Sequence, residues 1–220
     1  MEKPILFSTP MVEAIFDGRK TQTRRVVKFK KNIEVDSIGW STFTPDNHFS
    51  VRGTHENGKY GESFFKQPIE IGDVLWVREK WCLETPYGPE DYYYGYACNN
   101  FPFIKADEKY NFETPNKWKP SIFMPKDACR LYLKVTNVRI QLLNKITEED
   151  AIAEGVQPIK AHNRVHRTIG YNNYLIDPKN GFEILSTAKE SFETLWQSIN
   201  GKKSWKENTW VFVYDFEIKE

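Results

Sequence analysis

Gly18-Arg19-Lys20-Thr21-Gln22-Thr23-Arg24-Arg25 sets four cations and two threonine hydroxyls within eight residues, directly behind a short helix pattern. Ahead of it, Ser8 or Thr9 can cap a helix, Pro10 suits the first turn, and Met11, Ala14 and Ile15 share a face. Gly18 stops that helix, and residues 21–29 read as extended. A cationic turn between helix and strand can meet a phosphate or a polar nucleobase. The same cations also complement a helix C-terminus, with a solvated strand behind them. The choice between these readings falls to the rest of the chain.

Working outward, Ile5-Leu6-Phe7 is a short apolar run ahead of the helix, and Ile71-Gly72-Asp73 is a turn that launches a strand, Val74-Leu75-Trp76-Val77-Arg78-Glu79-Lys80-Trp81, whose near-continuous apolar start suits burial. Leu131, Leu133 and Val135 alternate; Val138, Ile140 and Leu142 alternate in the opposite phase. That change places a bulge or bend near Thr136-Asn137 in one long strand. Bent strands help a sheet close into a barrel. Residues 146–155 form a compact helix with Thr147 at the cap, Asp150 at the third position and Gly155 as terminator. Ala188, Phe192, Leu195, Trp196 and Ile199 recur at helical spacing, so residues 187–199 form an amphipathic helix that Asn200-Gly201 ends. The closing strand sets Trp210, Phe212, Tyr214, Phe216 and Ile218 on one face and Val211, Val213, Asp215 and Glu217 on the other, a half-buried pattern.

Between these elements lie three excursions. Residues 30–70 are polar and aromatic with an Asn57-Gly58 turn, which suits hairpins. Residues 84–127 hold Pro86, Pro89, Pro102, Pro115, Pro120 and Pro125 around Tyr92-Tyr93-Tyr94 and read as loop with short strands. Residues 157–186 are basic, then polar. The fold class expected is α+β, mainly β: a small β-barrel with two or three short helices and long insertions, one domain over 1–220.

The balance of 31 Lys and Arg against 30 Asp and Glu, net +1, excludes a globally basic nucleic-acid binder and confines any such surface to a local patch. Cys82, Cys98 and Cys129 are widely spaced, with no C-x-x-C pair and no signal-peptide pattern ahead of them, so a reduced, cytoplasmic setting is expected. No apolar run approaches the ~20 residues that span a bilayer, and no membrane partner is expected. His162 and His166 stand four apart without a supporting cysteine or glutamate, so no metal site is assigned. No Walker or dinucleotide fingerprint calls for a cofactor. Arg164, His166 and Arg167 suit a phosphate backbone or an ordinary solvated loop.

A strand and helix leading into Gly-Arg-Lys-Thr-x-Thr-x-Arg, a Gly-Asp-x-Leu strand, and a long strand running into Ile-Thr-Glu-x-x-Ala-x-x-Glu resemble the ASCH domain, a branch of the PUA-like barrels. The resemblance covers residues 5–29, 71–81, 130–156 and the helix and strand at 187–218. The longer form, with Trp76-Val77-Arg78-Glu79-x-Trp81 and Pro120-Ser121-x-x-Met124-Pro125, is similar to phage and prophage members. It implies a pocket for a nucleoside or single-stranded nucleic acid. Lys20, Thr23 and Glu154 match the lysine, threonine and glutamate of small bacterial members that hydrolyse the acetyl amide of N4-acetylcytidine. The chemistry is reasonable: a threonine hydroxyl is a poor nucleophile, and a lysine held neutral by desolvation or nearby cations can take its proton. A carboxylate then shuttles a proton to the leaving amine. Glu154 stands in the last helical turn, where the dipole disfavours an acid, so a role is a better account of it than stability. Arg19, Arg24 and Arg25 are expected on the substrate beside this triad, with Arg78, Glu79 and Trp81 as a second group that hydrogen-bonds and stacks a base. Each also has an ordinary structural reading as solvated cation, strand residue or core. The rival functions are a non-catalytic module for a modified base in RNA or DNA, and a ribonuclease on single-stranded RNA that depends on Arg24, Arg25 or Arg164.

Overall fold

The computed structural model describes residues 1–29, 33–40, 48–55, 58–84, 93–98, 118–162, 167–177, 179, 181 and 183–219. Asn57 of the expected turn, Pro86, Pro89, Pro102, Pro115, Tyr92, and Arg164 and His166 of the basic excursion lie outside these residues.

Thirteen strands and three α-helices make a mainly β, α+β fold among the described residues. The principal sheet holds β1 (Glu2–Leu6), β2 (Gln22–Val26), β6 (Val74–Arg78), β9 (Tyr132–Leu142) and β13 (Trp210–Ile218). Their order is β1-β6-β9-β13-β2, parallel between β1 and β6 and antiparallel elsewhere. The outer strands β1 and β2 do not pair with each other among the described residues. The first excursion is a three-stranded meander of β3 (Ile33–Trp40), β4 (His48–His55) and β5 (Tyr60–Lys66). The others hold β7 (Trp81–Glu84) with β8 (Tyr93–Tyr96), and a sheet of β10 (Pro158–His162), β11 (Arg167–Asn172) and β12 (Ile184–Leu185).

The bulge falls where the phase change puts it. Asp215 pairs with Asn137 and Phe216 with Val135, so Thr136 is the extra residue; Val135 and Val138 on either side are both buried. One added residue flips the later side chains, which is how two opposed alternations share one strand.

The closing strand corrects its sequence reading, because both its faces are covered. Phe212, Tyr214 and Phe216 enter one core with Ile5, Val12, Ile15 and Leu75, and Phe49 of the meander packs on Phe212 with ring centroids 5.5 Å apart. Val211 and Val213 enter a second core with Ala151, Phe192, Trp196 and Trp205. The physical reason is position: β13 lies between β9 and β2, and a helix roofs its valine face. The strand from Val74 is corrected the other way. It alternates, with Leu75, Val77, Glu79 and Trp81 buried and Trp76 only partly so, and it breaks after Arg78.

The helices are written by their caps. α1 (Thr9–Phe16) follows Ser8 with Pro10 in its first turn, and Gly18 takes φ 71° behind it. In α2 (Glu148–Ala153) Thr147 accepts a hydrogen bond from the Asp150 N–H. α3 (Ala188–Asn200) opens on a capping box of Thr187 and Glu190. The Glu148 carboxylate accepts from the backbone N–H groups of Ala188 (2.8 Å) and Lys189 (3.3 Å). Two free N–H groups and the positive end of α3 thus hold α2 against it. That junction sets the end of α2 beside the start of β2. No helix among the described residues is long and apolar enough to cross a membrane.

Candidate functional site

The turn after α1 and the last residue of α2 meet through the backbone. Lys20 and Glu154 form a bridge, Thr21 N–H donates to Ala153 O at 2.9 Å, and Arg19 reaches Gly155 O at 3.1 Å. Gly155 has φ 89°, and a Cβ there would lie 2.8 Å from Lys20 Cβ and 3.0 Å from Ala14 Cβ. Any larger residue would combine backbone strain with a clash, so Gly155 is what lets these segments touch.

Lys20 is buried, and its ammonium donates to Gln22 O (2.8 Å), Glu154 O (2.9 Å) and Glu154 Oε2 (2.9 Å). Three acceptors match the three N–H groups of the cation. Burial pulls the Lys20 pKa down from the ordinary lysine value, while the Glu154 carboxylate offsets part of that effect. The other carboxylate oxygen, Oε1, accepts from Arg24 Nη1 at 2.9 Å, and Arg24 Nη2 donates to Asp150 at 2.7 Å. Arg139 bridges Asp150 (2.6 Å) and Asp215 (2.7 Å). Gln22 spans the same two acids at 3.2 and 2.6 Å. Burial raises the Asp150 carboxyl, but Arg24, the Gln22 hydrogen bond and Arg139 outweigh it and hold the group below its usual range. Lys20, Arg24 and Arg139 are thus set against Glu154, Asp150 and Asp215, a connected chain of three cations and three carboxylates. Charge balance and ion pairing are what allow such a cluster inside a protein.

One edge of the cluster is open. A cleft of about 80 Å³ is lined on its polar side by Thr23, Arg24, Arg25 and Glu154, and on its apolar side by Met11 of α1 and Phe192, Leu195, Trp196 and Ile199 of α3. Thr23 is buried, and among the described residues its hydroxyl makes no hydrogen bond to Lys20 or Glu154. Arg25 donates to Leu6 O at 2.8 Å with its guanidinium over Phe7. The Arg24 guanidinium stacks on Phe192, 5.6 Å from the ring centroid. A polar floor under an aromatic wall suits a planar ring that carries hydrogen-bonding edges.

The sequence-expected residues therefore divide. Lys20, Thr23, Glu154, Arg24 and Arg25 come together. Arg19 braces the turn from outside, through Gly155 O and Asp17. Arg78, Glu79 and Trp81 do not line this cleft. Glu79 is locked by Arg130 through two bonds of 2.8 and 2.9 Å, Trp81 packs with Tyr96, Met124 and Ala128, and Arg78 holds the carbonyls of Ile122 and Met124. Asp150, Gln22, Arg139 and Asp215 were not singled out as site residues, nor were Phe192 and Trp196. The only local signal for them was polar Asp215 in an otherwise apolar run on β13; Phe192 and Trp196 carry the signature of an ordinary amphipathic helix.

No family model, no curated protein and no solved structure matches the chain.

Proposed function

We propose that this cleft accepts a nucleobase or modified nucleoside and hydrolyses an acylated cytidine-type amide. The observation behind the proposal is that Thr23 and Glu154 line one cleft while Lys20, buried behind it, sits 2.9 Å from the Glu154 carboxylate. The ASCH reading, with its PUA-like barrel, is part of the same proposal. It draws support from the bent β9 and from the meeting of all three motif residues.

The buried ion pair supplies the proton inventory. Shifting one proton from Lys20 Nζ to Glu154 Oε2 gives a neutral amine and a neutral acid, and burial of Lys20 eases its half of that exchange. The amine takes the Thr23 hydroxyl proton as Oγ1 attacks the amide carbonyl carbon. The carbon–nitrogen bond then breaks, the leaving amine takes the Glu154 proton, and both side chains return to their charged forms. Water attacks the acyl-threonine along the same route, releasing the carboxylic acid and restoring the hydroxyl. To reach Thr23, Lys20 Nζ must leave the Gln22 carbonyl.

The test is chromatography of N4-acetylcytidine and a small panel of acylated nucleosides after incubation with the protein. Wild type is expected to release the free amine, and Lys20→Ala, Thr23→Ala and Glu154→Ala are expected to lose turnover. A folded wild type that converts none of them overturns hydrolysis. A second reading, recognition of a modified base without chemistry, draws on the fully satisfied Lys20 ammonium; it predicts base binding that survives Thr23→Ala.

A further inference from the structure

The stretch Gly18–Arg25 carries four cations, and the fold neutralises three of them. Arg19 pairs with Asp17, Lys20 with Glu154, and Arg24 with both Glu154 and Asp150. Arg25 is different. Among the described residues it pairs with no carboxylate, and its one hydrogen bond goes to the neutral Leu6 carbonyl, so most of its N–H donors are unused. Unlike Lys20 and Arg24, which are buried, Arg25 is partly exposed, and it lines the cleft. Glu154 is the acid that acts on it, but both Glu154 oxygens are already bound by Lys20 and Arg24. Partial burial pulls the Arg25 pKa below the ordinary arginine value, and Glu154 offsets only part of that effect. A cation drawn out of water without its own counter-charge is costly, so a fold that keeps one at a cleft has a use for an anion there.

We propose that Arg25 forms a phosphate subsite at the nucleobase cleft, so that the ligand is a nucleotide, free or within a strand, and not a neutral nucleoside. This rests on the nucleobase reading above and adds the charged part of the ligand. A base and an acyl amide are both neutral and would leave Arg25 without a counter-charge. A phosphate is anionic, and its oxygens match the guanidinium fork with two parallel N–H···O bonds. The register agrees. Thr23 and Arg25 stand opposite Tyr214 and Phe212, on one face of β2, with Cα atoms about 7 Å apart, so one ligand can meet the two residues through different groups.

Cytidine and cytidine 5′-monophosphate differ by that phosphate, and neither carries an acyl amide to hydrolyse. Calorimetric binding of each to wild type and Arg25→Gln at low ionic strength is the test, with a trinucleotide centred on cytidine as a third ligand. Wild type is expected to prefer the monophosphate to cytidine by at least about tenfold, the value of one charge-assisted hydrogen bond, and Arg25→Gln to erase that preference. In isotope-labelled wild type the Arg25 Nε–H resonance is expected to shift with the monophosphate and not with cytidine, a readout that does not depend on the variant folding. A trinucleotide that binds more tightly than the monophosphate, again through Arg25, assigns the phosphate to a strand; one that binds more weakly assigns it to a free nucleotide. Equal binding of cytidine and its monophosphate by wild type, or a preference that survives Arg25→Gln, overturns the phosphate subsite and leaves the nucleobase reading standing. Binding of none of the three ligands overturns both.

Discussion

Glu154 and Glu79 are both buried acids singled out by the sequence, and the structure uses them in opposite ways. Glu79 sits 1% exposed in a two-bond pair with Arg130, whose guanidinium lies between the rings of Phe16 and Tyr96 at 5.1 and 4.1 Å. Both Glu79 oxygens are met by the Arg130 guanidinium, which makes the pair a clasp between the residue after β6, the residues before β9 and the end of α1. Glu154 also holds two cations, yet one side of it forms the floor of a cleft, next to a threonine hydroxyl that makes no hydrogen bond to Lys20 or Glu154 among the described residues. The difference teaches that burial and charge pairing do not mark a site. Open space beside the pair does.

Turnover is the sharpest way to break this comparison. Glu154→Gln and Thr23→Ala are expected to lower hydrolysis of N4-acetylcytidine by about 10²–10⁴-fold, while Glu79→Gln stays within a few-fold of wild type; a comparable loss in Glu79→Gln would erase the distinction. Stability should not separate the two acids. Glu79→Gln strands Arg130 and Glu154→Gln strands Lys20 and Arg24, so each is expected to cost about 3 kcal/mol in denaturant unfolding. Gly155→Ala should cost about 1–3 kcal/mol and displace Lys20, because the position has φ 89° and a Cβ meets Lys20 and Ala14. It should therefore reduce turnover as well as stability, with no effect on the Glu79 clasp.

The smallest effect is a pH dependence peculiar to the cleft. The folded Lys20 pKa lies below its ordinary value of 10.5, so across the interval between the two the unfolded chain binds more protons than the native one. Stability then rises with pH over that interval, by at most about 1.4 kcal/mol per unit. Lys20→Met should remove the rise. Equal slopes for wild type and Lys20→Met in alkaline unfolding curves would show that Lys20 keeps its ordinary pKa in the fold.

Much of the local structure was legible. Ser8 and Pro10 ahead of α1, Thr147 before α2, Gly18 and Gly155 behind them, and the phase change at Thr136 each act through a few adjacent residues, and each element stands where those residues put it. The triad as a set was legible only through family resemblance. Position by position, Lys20 reads as a solvated helix-end cation and Thr23 as an ordinary strand residue, and only Glu154, an acid in a last helical turn, carries a local hint of a role; all three are buried. Asp150 had a sufficient local role near its cap, which hid its second role as partner to Arg24 and Arg139. Glu79 misled for the complementary reason: a charged residue on the inward side of a strand has the same pattern whether it meets a ligand or an arginine.

By itself the sequence determined where the chain turns, caps, bends and alternates, since backbone sterics and hydrogen bonds within a few residues decide those features. Only the tertiary structure decided that Lys20 and Glu154, 134 positions apart, share one proton-sized gap, and that Asp215 from the last strand neutralises Arg139 beside them. Desolvation is the reason. A charge removed from water must find its counter-charge, and which segments can supply one depends on how sheet and helices pack, not on the neighbours of either residue in the chain.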